Sequence, residues 1–203
     1  MSGDRMELRN VLALVTVMFS VGLFCHGGYI HAKAILAQWL IADSWQDTLA
    51  GQASVRPWPW ADTWPVAALR VPRLDIEQYV LAGDSGQALA FGPGHHSASS
   101  LPGSVGTTLI SGHRDTHFSF VRDLVSGDTL ELQGPDGGSL RYRITHMQVV
   151  DSRQALWFED TSGQLLLVTC YPFDGLSSNT PWRYMVSAVR EIPTHHRLLP
   201  DAH

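Results

Sequence analysis

The chain has 203 residues, which is enough for one domain with an appendage or for two very small domains. Its net charge is −5, and its 14 lysines and arginines provide no basic field for a phosphate backbone, which argues against nucleic acid as a partner. The 18 glycines and 11 prolines fall mainly between short apolar runs, a pattern that favours many short strands over a helical bundle.

The first predicted element is an apolar helix near the N-terminus. Residues 10–32 contain no Asp, Glu, Lys or Arg, and about 20 such residues suffice for a helix to cross ~30 Å of hydrocarbon. A cleaved signal peptide is the alternative, with a weak A-x-A site at Ala32 and Ala34, but the run is longer than a usual signal sequence. We therefore predict an uncleaved, single-pass transmembrane anchor over residues 1–32.

The charges on either side of this stretch predict its orientation. Arg5 and Arg9 precede it and Lys33 follows it, so the positive-inside rule places the N-terminus in the cytoplasm. The remainder of the chain would then be extracytoplasmic and attached to the plasma (inner) membrane. An unpaired thiol is exposed to oxidants there, so a free cysteine needs a functional reason.

Residues 33–65 are predicted to connect the anchor to a folded domain. The segment KAILAQWLIADSWQDTLA has helical character, because its apolar residues share one face. The following GQASVRPWPWADTWP contains three prolines and three tryptophans, which exclude a regular element. We predict a juxtamembrane helix and then a linker that lies against the domain or the membrane surface, where tryptophan is favoured.

Short strands separated by glycine-rich turns are predicted from residue 66 onwards. The candidates are VAALRVPRL, IEQYVLA, GTTLISG, DTLEL, SLRYRITHMQVV, QLLLVTCYPF and RYMVSAVREI. No helix-period segment of useful length follows residue 66, so the sequence predicts an all-β domain, a closed or nearly closed barrel. We place this domain at 66–193 and a C-terminal tail at 194–203.

One strand candidate ends in a thiol, Cys170, within LLLVTCYPF. The other cysteine, Cys25, lies in the apolar N-terminal stretch, which leaves Cys170 unpaired. A nucleophilic cysteine needs a basic or cationic neighbour, because a free thiol has a pKa of ~8.5. His113 follows the strand TTLISG and Arg183 opens the strand after Cys170, so both could lie at one rim with the thiol. Such a group can perform acyl transfer, in which the cysteine attacks, the histidine moves protons and the arginine stabilises the oxyanion.

Spacing alone leaves other roles open for these residues. Cys170 could be a buried, inert strand residue, because cysteine behaves as a small hydrophobic side chain. His117, four residues after His113, could join both in a zinc site, although the acidic base of a metallopeptidase is not evident. Asp115 could orient His113 by a hydrogen bond or form a turn. Arg114 is predicted to be a surface or salt-bridged residue, and no metal or cofactor is predicted.

Three motifs in this order resemble the sortase family. GHR at 112–114 matches the family's G-H-R, LLVTC at 166–170 matches T-L-x-T-C with Leu in place of the first Thr, and Arg183 opens the last strand a dozen or so residues later. The segments LAFGPGHH and LPGSVGTTLISGH also resemble the family run before the histidine. The resemblance covers roughly residues 66–192. By motif it is closest to class D-like sortases and to the Gram-negative, marine proteobacterial type, which share CYPF.

This resemblance implies a membrane-anchored cysteine transpeptidase with an eight-stranded sortase-type β-barrel. Its substrate would be a surface or secreted protein with a C-terminal LPxTG-like sorting signal. Cys170 would attack the carbonyl of the signal's Thr, release the glycine side and form a thioester that an incoming amine resolves. His113 would protonate the leaving amine and deprotonate the incoming one, and Arg183 would hold the signal backbone or the oxyanion.

The resemblance also implies substrate contacts. The loop before the cysteine strand corresponds to the sortase loop that binds the Leu-Pro side of the signal, so Leu156, Trp157 and Phe158 are the predicted apolar contacts. Thr169, beside the nucleophile, and His96, in a loop that lines the cleft, complete the predicted set. A cysteine peptidase of the same fold that only hydrolyses, and a non-catalytic barrel that binds sorting signals, remain the alternative functions.

Overall fold

The computed structural model describes residues 2–102, 104, 106–154, 163–175 and 180–191, with side chains described from residue 9. The chain divides into two compact units, residues 1–40 and 41–203.

A single helix, α1, occupies Ser2–Leu49. Many of its large apolar side chains between residues 11 and 36 are more than half exposed. The part Arg9–Leu49 is long and apolar enough to cross a membrane, with a mean hydropathy of 1.9 over its most apolar window. The predicted N-terminal apolar helix is confirmed. It continues through residue 32, where we placed the end of the anchor, because no proline interrupts it and the first helix-ending glycine after that point is Gly51.

The last turns of α1 belong to the second unit, residues 41–203. Ile41 and Trp45 are each 1% exposed, and Ile41 packs in a small apolar cluster against the sheet. The Ser44 hydroxyl donates a hydrogen bond to the Val55 carbonyl at 2.6 Å, which ties the helix to the chain that follows it. Part of the predicted connecting segment is therefore built into the folded unit.

Eight strands form a closed barrel in the second unit. They are β1 Pro65–Val71, β2 Ile76–Ala82, β3 Gly94–His95, β4 Thr107–Ser111, β5 Thr129–Gln133, β6 Ser139–Asp151, β7 Gln164–Cys170 and β8 Trp182–Arg190. Their order around the barrel is β1-β2-β3-β4-β7-β8-β6-β5, and β5 closes it against β1. The β2–β3 and β4–β7 pairs are parallel and the others antiparallel. The predicted all-β, eight-stranded barrel is confirmed.

Three short helices connect these strands: α2 at Gly86–Phe91 and 3-10 helices at Pro72–Leu74 and Ser119–Asp123. The last of them carries Phe120 and Val121 into the barrel core, beside the segment that follows β4. It therefore closes one end of the core near the end of β4.

Side-chain alternation along β7 separates a core face from an outer face. Leu165 and Leu167 are fully buried in the barrel core. Successive residues of a strand point to opposite faces, so Val168 and Cys170 lie on the other face, and both are half-buried. The strand therefore carries its thiol outside the apolar core, at its C-terminal end.

Candidate active site

Strand register places a guanidinium next to the thiol. Cys170, the last residue of β7, is directly opposite Arg183 of β8, and both side chains are half-buried. Directly opposed residues of antiparallel strands share a face, with Cβ atoms about 4.5–5.5 Å apart. The Arg183 Nη1 group donates to the carbonyls of Thr180 at 2.5 Å and Trp182 at 2.9 Å, which holds the side chain at this edge of the barrel. Cys170 is a free thiol.

The parallel pairing of β4 with β7 brings His113 to the same edge. Ser111 is opposite Val168 in this pair, and the Gly112 N–H donates to the Val168 carbonyl at 3.1 Å. His113 follows two residues after this last pair, and Cys170 follows Val168 by the same number of residues. The His113 side chain is exposed. The structure thus pairs Cys170 with Arg183, and it pairs the strand before His113 with the strand that ends in Cys170.

The glycine before His113 is required by close packing. A Cβ at Gly112 would lie 2.5 Å from the ring of Phe118, which is fully buried. The Thr169 hydroxyl donates to the Gly112 carbonyl at 2.8 Å. Gly112 is therefore bonded to β7 on one side and covered by an aromatic ring on the other, which fixes where His113 emerges.

Arg114 is a buried residue that the sequence did not indicate. It is 5% exposed, and its guanidinium donates to both oxygens of Asp115, at 2.7 and 2.9 Å. It also donates to the carbonyls of Pro172 at 2.5 Å and Gly175 at 2.8 Å. Of the two predicted alternatives, surface or salt-bridged, the structure shows the salt bridge, and the side chain is buried because it also binds two main-chain carbonyls far along the chain.

The carboxylate of Asp115 is held by Arg114. Both of its oxygens accept hydrogen bonds from that guanidinium, which keep the pKa of Asp115 below its ordinary value. The charge of His113 also lowers this pKa, by a smaller amount. Asp115 thus acts as the ion-pair partner of the arginine.

The structure does not support the zinc alternative within the residues it describes. His117 is half-buried, its Nδ1 lies 3.3 Å from Gln78 Oε1, and burial lowers its pKa against an opposing hydrogen bond with the Ala90 backbone. Among the described residues, no group of three or more His, Cys, Asp or Glu side chains could hold a metal ion.

The predicted substrate contacts divide into two groups. Thr169 is 2% exposed, and its hydroxyl is used inside the protein to bind the segment before His113. Leu156, Trp157 and Phe158 lie outside the described residues. Their contacts with a sorting signal stay predictions.

His96 lies away from the thiol. Its N–H donates to the carbonyl of Leu109, which precedes His113 by four residues and hence by roughly 13 Å along the strand. Its Nδ1 is 2.8 Å from Oδ2 of Asp84, in the loop after β2. The structure does not place His96 beside Cys170, and its role in substrate binding stays a prediction.

A cavity of about 850 Å³ occupies another part of the barrel unit. Its lining includes Trp64, His95, Ser99 and Pro102, and Cys170 is not among the described residues that line it. The imidazole of His95 is engaged there, with Nε2 at 3.0 Å from the Ser100 carbonyl. Among the described residues, those at the thiol are thus distinct from those that line this cavity.

Known proteins identify the family. A family model, the Sortase domain, matches residues 69–191. The chain belongs to the sortase family. Sortase D of Bacillus subtilis (strain 168) is 32% identical over 124 residues, which are 60% of this chain and 62% of that protein. The chain thus spans less than two thirds of that relative's length. The predicted family is confirmed, and the class D-like resemblance is consistent with this relative.

Solved sortase structures share the fold. Sortase A from Corynebacterium diphtheriae has a TM-score of 0.57 and 24% identity, over 70% of this chain and 66% of that one. A Clostridium perfringens sortase D5 transpeptidase has a TM-score of 0.54 and 19% identity, over 64% of this chain and 80% of that one. At these identities the likeness establishes the barrel and not the activity.

Proposed function

We propose that this sortase is a membrane-anchored cysteine transpeptidase. It cleaves a C-terminal LPxTG-like sorting signal between Thr and Gly through a thioester on Cys170, and it transfers the acyl group to an amine. The observation that supports the proposal is the strand register, which sets Arg183 opposite Cys170 and pairs β4, the strand before His113, with β7. A nucleophile, a proton-transfer group and a cation at one edge are the parts that acyl transfer needs.

In the first half-reaction the proton of the Cys170 thiol passes to His113, and the sulfur forms a bond to the carbonyl carbon of the signal's Thr. The carbonyl electrons move onto oxygen, and Arg183 stabilises this oxyanion. When the oxyanion collapses, the Thr–Gly amide bond breaks, and His113 gives a proton to the departing glycine nitrogen. The products are a thioester on Cys170 and a peptide with a new amino terminus.

In the second half-reaction an incoming amine replaces the glycine. Its nitrogen attacks the thioester carbonyl, His113 accepts the proton from that nitrogen, and the sulfur leaves as Cys170 is regenerated. A thioester is reactive enough to form an amide without ATP. Water can attack the same thioester, so transfer exceeds hydrolysis only if the site favours the amine over water.

Arg183 is suited to the oxyanion role by its donor geometry. A guanidinium carries five N–H donors, and the two bonds to the Thr180 and Trp182 carbonyls both use Nη1. These bonds orient the group before substrate arrives, so little reorganisation is needed when negative charge develops. We assign the signal contacts to His96 and the loop residues Leu156, Trp157 and Phe158, whereas Thr169, predicted as a contact, is buried and bonded to the Gly112 carbonyl.

We place the enzyme at the plasma (inner) membrane as a single-pass protein, with its N-terminus in the cytoplasm and the catalytic barrel outside. Support comes from the long apolar stretch of α1 and from the basic residues Arg5 and Arg9 that precede this stretch. Given this location, the partner is a surface or secreted protein that presents its sorting signal on the outer side of the membrane.

A ligation assay tests the proposal. The full chain in detergent is incubated with an LPxTG peptide and triglycine, and the products are identified by mass. We expect the amide-linked product from the wild type and from Cys25→Ala, which removes the thiol in α1, and none from Cys170→Ala. Free acid alone, even at high triglycine, would indicate a hydrolytic peptidase. Peptide binding without any cleavage would indicate a non-catalytic barrel.

A further inference from the structure

We infer that Arg114 is a positioning residue, which couples the segment carrying His113 to the turn that follows Cys170. The inference rests on the proposed function, since it assigns Arg114 a part in bringing those two groups into reacting geometry. The observation is a buried guanidinium whose hydrogen bonds cross from the first segment to the second.

Two hydrogen bonds form this link, from Arg114 to the carbonyls of Pro172 and Gly175, and we call them the clamp. Arg114 Nη1 donates to the Pro172 carbonyl at 2.5 Å, and Nη2 donates to the Gly175 carbonyl at 2.8 Å. The Gly175 N–H in turn donates to the Pro172 carbonyl at 3.3 Å, so both acceptors belong to one turn. Asp115 neutralises the guanidinium with two more bonds and so offsets the free-energy cost of its burial.

Hydrogen bonds hold the chain on both sides of His113. Before His113, Gly112 is bonded to Val168 and to Thr169. After it, Arg114 is bonded to the turn at 172–175. The bonds before His113 reach residues that precede Cys170 in sequence, and the bonds after His113 reach residues that follow Cys170. With the clamp intact, the imidazole and the thiol have little freedom to separate.

Arginine is required because of its shape. A planar fork can reach two carbonyls and both oxygens of a carboxylate at once, whereas a lysine ammonium has three donors at a single point. Arg114→Lys keeps the charge and loses the fork. The histidine and the thiol then lose their fixed separation, and a misplacement of about 1 Å can lower turnover by about 100-fold.

The test compares Arg114→Lys and Arg114→Gln with a matched control, Arg122→Lys, an exposed arginine near the same segment. Each full chain is first shown by thermal unfolding to be folded. In the ligation assay we expect kcat to fall by about 100-fold in both Arg114 variants, more in the Gln variant, with KM within about threefold of the wild type. The control should keep both constants. Because an unfolded fraction would lower the apparent kcat without changing KM, the rates are compared at a temperature at which every variant is fully folded.

Hydrogen exchange tests the clamp without a substrate. We expect the peptide that covers residues 171–175 to exchange about tenfold faster in Arg114→Lys than in the wild type and in Arg122→Lys, because opening of the turn no longer has to break the clamp. Unchanged exchange together with wild-type kcat would overturn the inference. If the wild type transfers no acyl group, the proposed function fails, and exchange alone decides on the clamp: faster exchange supports it and unchanged exchange overturns it.

Discussion

Cys170 of β7 lies directly opposite Arg183 of the neighbouring strand β8. The register of these two strands is unbroken from the pair Gln164 and Val189 to this last pair. Register fixes faces, because a slip of one residue would turn every side chain of a strand to the opposite side. The barrel therefore sets the backbone positions of the two residues, and the bonds of Arg183 to the Thr180 and Trp182 carbonyls orient its guanidinium.

Arg183→Ala should lower acyl transfer strongly. The loss of a preorganised oxyanion donor reduces kcat by roughly 10²–10³-fold. Arg190→Ala is the matched control, since Arg190 is an exposed residue at the far end of the same strand. Ligation rates of the two variants are compared at saturating peptide. Near-wild-type turnover of Arg183→Ala would show that the oxyanion role belongs elsewhere.

Gly112→Ala should damage the site through packing. The added methyl would lie 2.5 Å from the Phe118 ring, so the ring or the backbone before His113 must shift. We expect a loss of transfer on the order of 100-fold with the barrel still folded. Gly86→Ala is the control, because nothing lies within 4 Å of the position that its new methyl group would occupy. Equal ligation rates in the two variants would refute the packing argument.

Trp45→Ala should destabilise the barrel unit although Trp45 lies in the long N-terminal helix. The side chain is 1% exposed, and truncation of a buried tryptophan costs about 3–5 kcal/mol. Trp39→Ala removes a side chain that is 62% exposed and should leave the melting temperature unchanged. Thermal unfolding of both full chains in detergent makes the comparison. A stable Trp45→Ala would mean that the last turns of α1 are not part of the folded unit.

Asp128→Asn should remove a pH-dependent part of the stability. The carboxylate is buried and accepts from Arg73 at 2.6 and 2.8 Å and from the Val125 N–H at 2.9 Å. The bonds to Arg73, then that of Val125, hold the pKa of Asp128 below its ordinary value. A lowered folded-state pKa contributes stability above the unfolded value of ~3.9, and this contribution is lost as pH falls through the folded-state value.

We therefore expect Asp128→Asn to lower the melting temperature by roughly 4 °C at pH 7 and the difference from wild type to shrink below about pH 4. Glu77→Gln breaks an exposed ion pair with Arg70, whose side chain is 49% exposed against 44% for Glu77, and should have little effect. If the difference in melting temperature between Asp128→Asn and the wild type stayed constant from about pH 7 to about pH 3, the Asp128 carboxylate would not be the source of the pH-dependent stability.

The barrel was predictable because its strands are visible in the local sequence, whereas the thiol–histidine–arginine group stays a prediction. Short apolar runs between glycine-rich turns indicate strands, and Cys170, His113 and Arg183 each lie next to a strand end. The burial of Arg114 was not predictable in this way. Its partners are the carbonyls of residues 58 and 61 positions away, and a main-chain carbonyl has no signature in the sequence.

The continuity of the apolar helix with the predicted helix after it was also beyond the sequence pattern. Lys33 marks a change from apolar to mixed composition, which suggests a boundary, yet helix propensity does not change there and α1 continues to Leu49. Only the packing of Ile41 and Trp45 in the second unit shows where the folded domain begins.

The most direct test of the central claim is the intact mass of the full chain after brief incubation with an LPxTG peptide and no added amine. We predict a covalent adduct equal to the peptide up to its Thr, located on Cys170, released by hydroxylamine and absent in Cys170→Ala. No adduct on the wild type, with Cys170 unreactive towards iodoacetamide, would contradict the account and leave the cysteine as an inert strand residue.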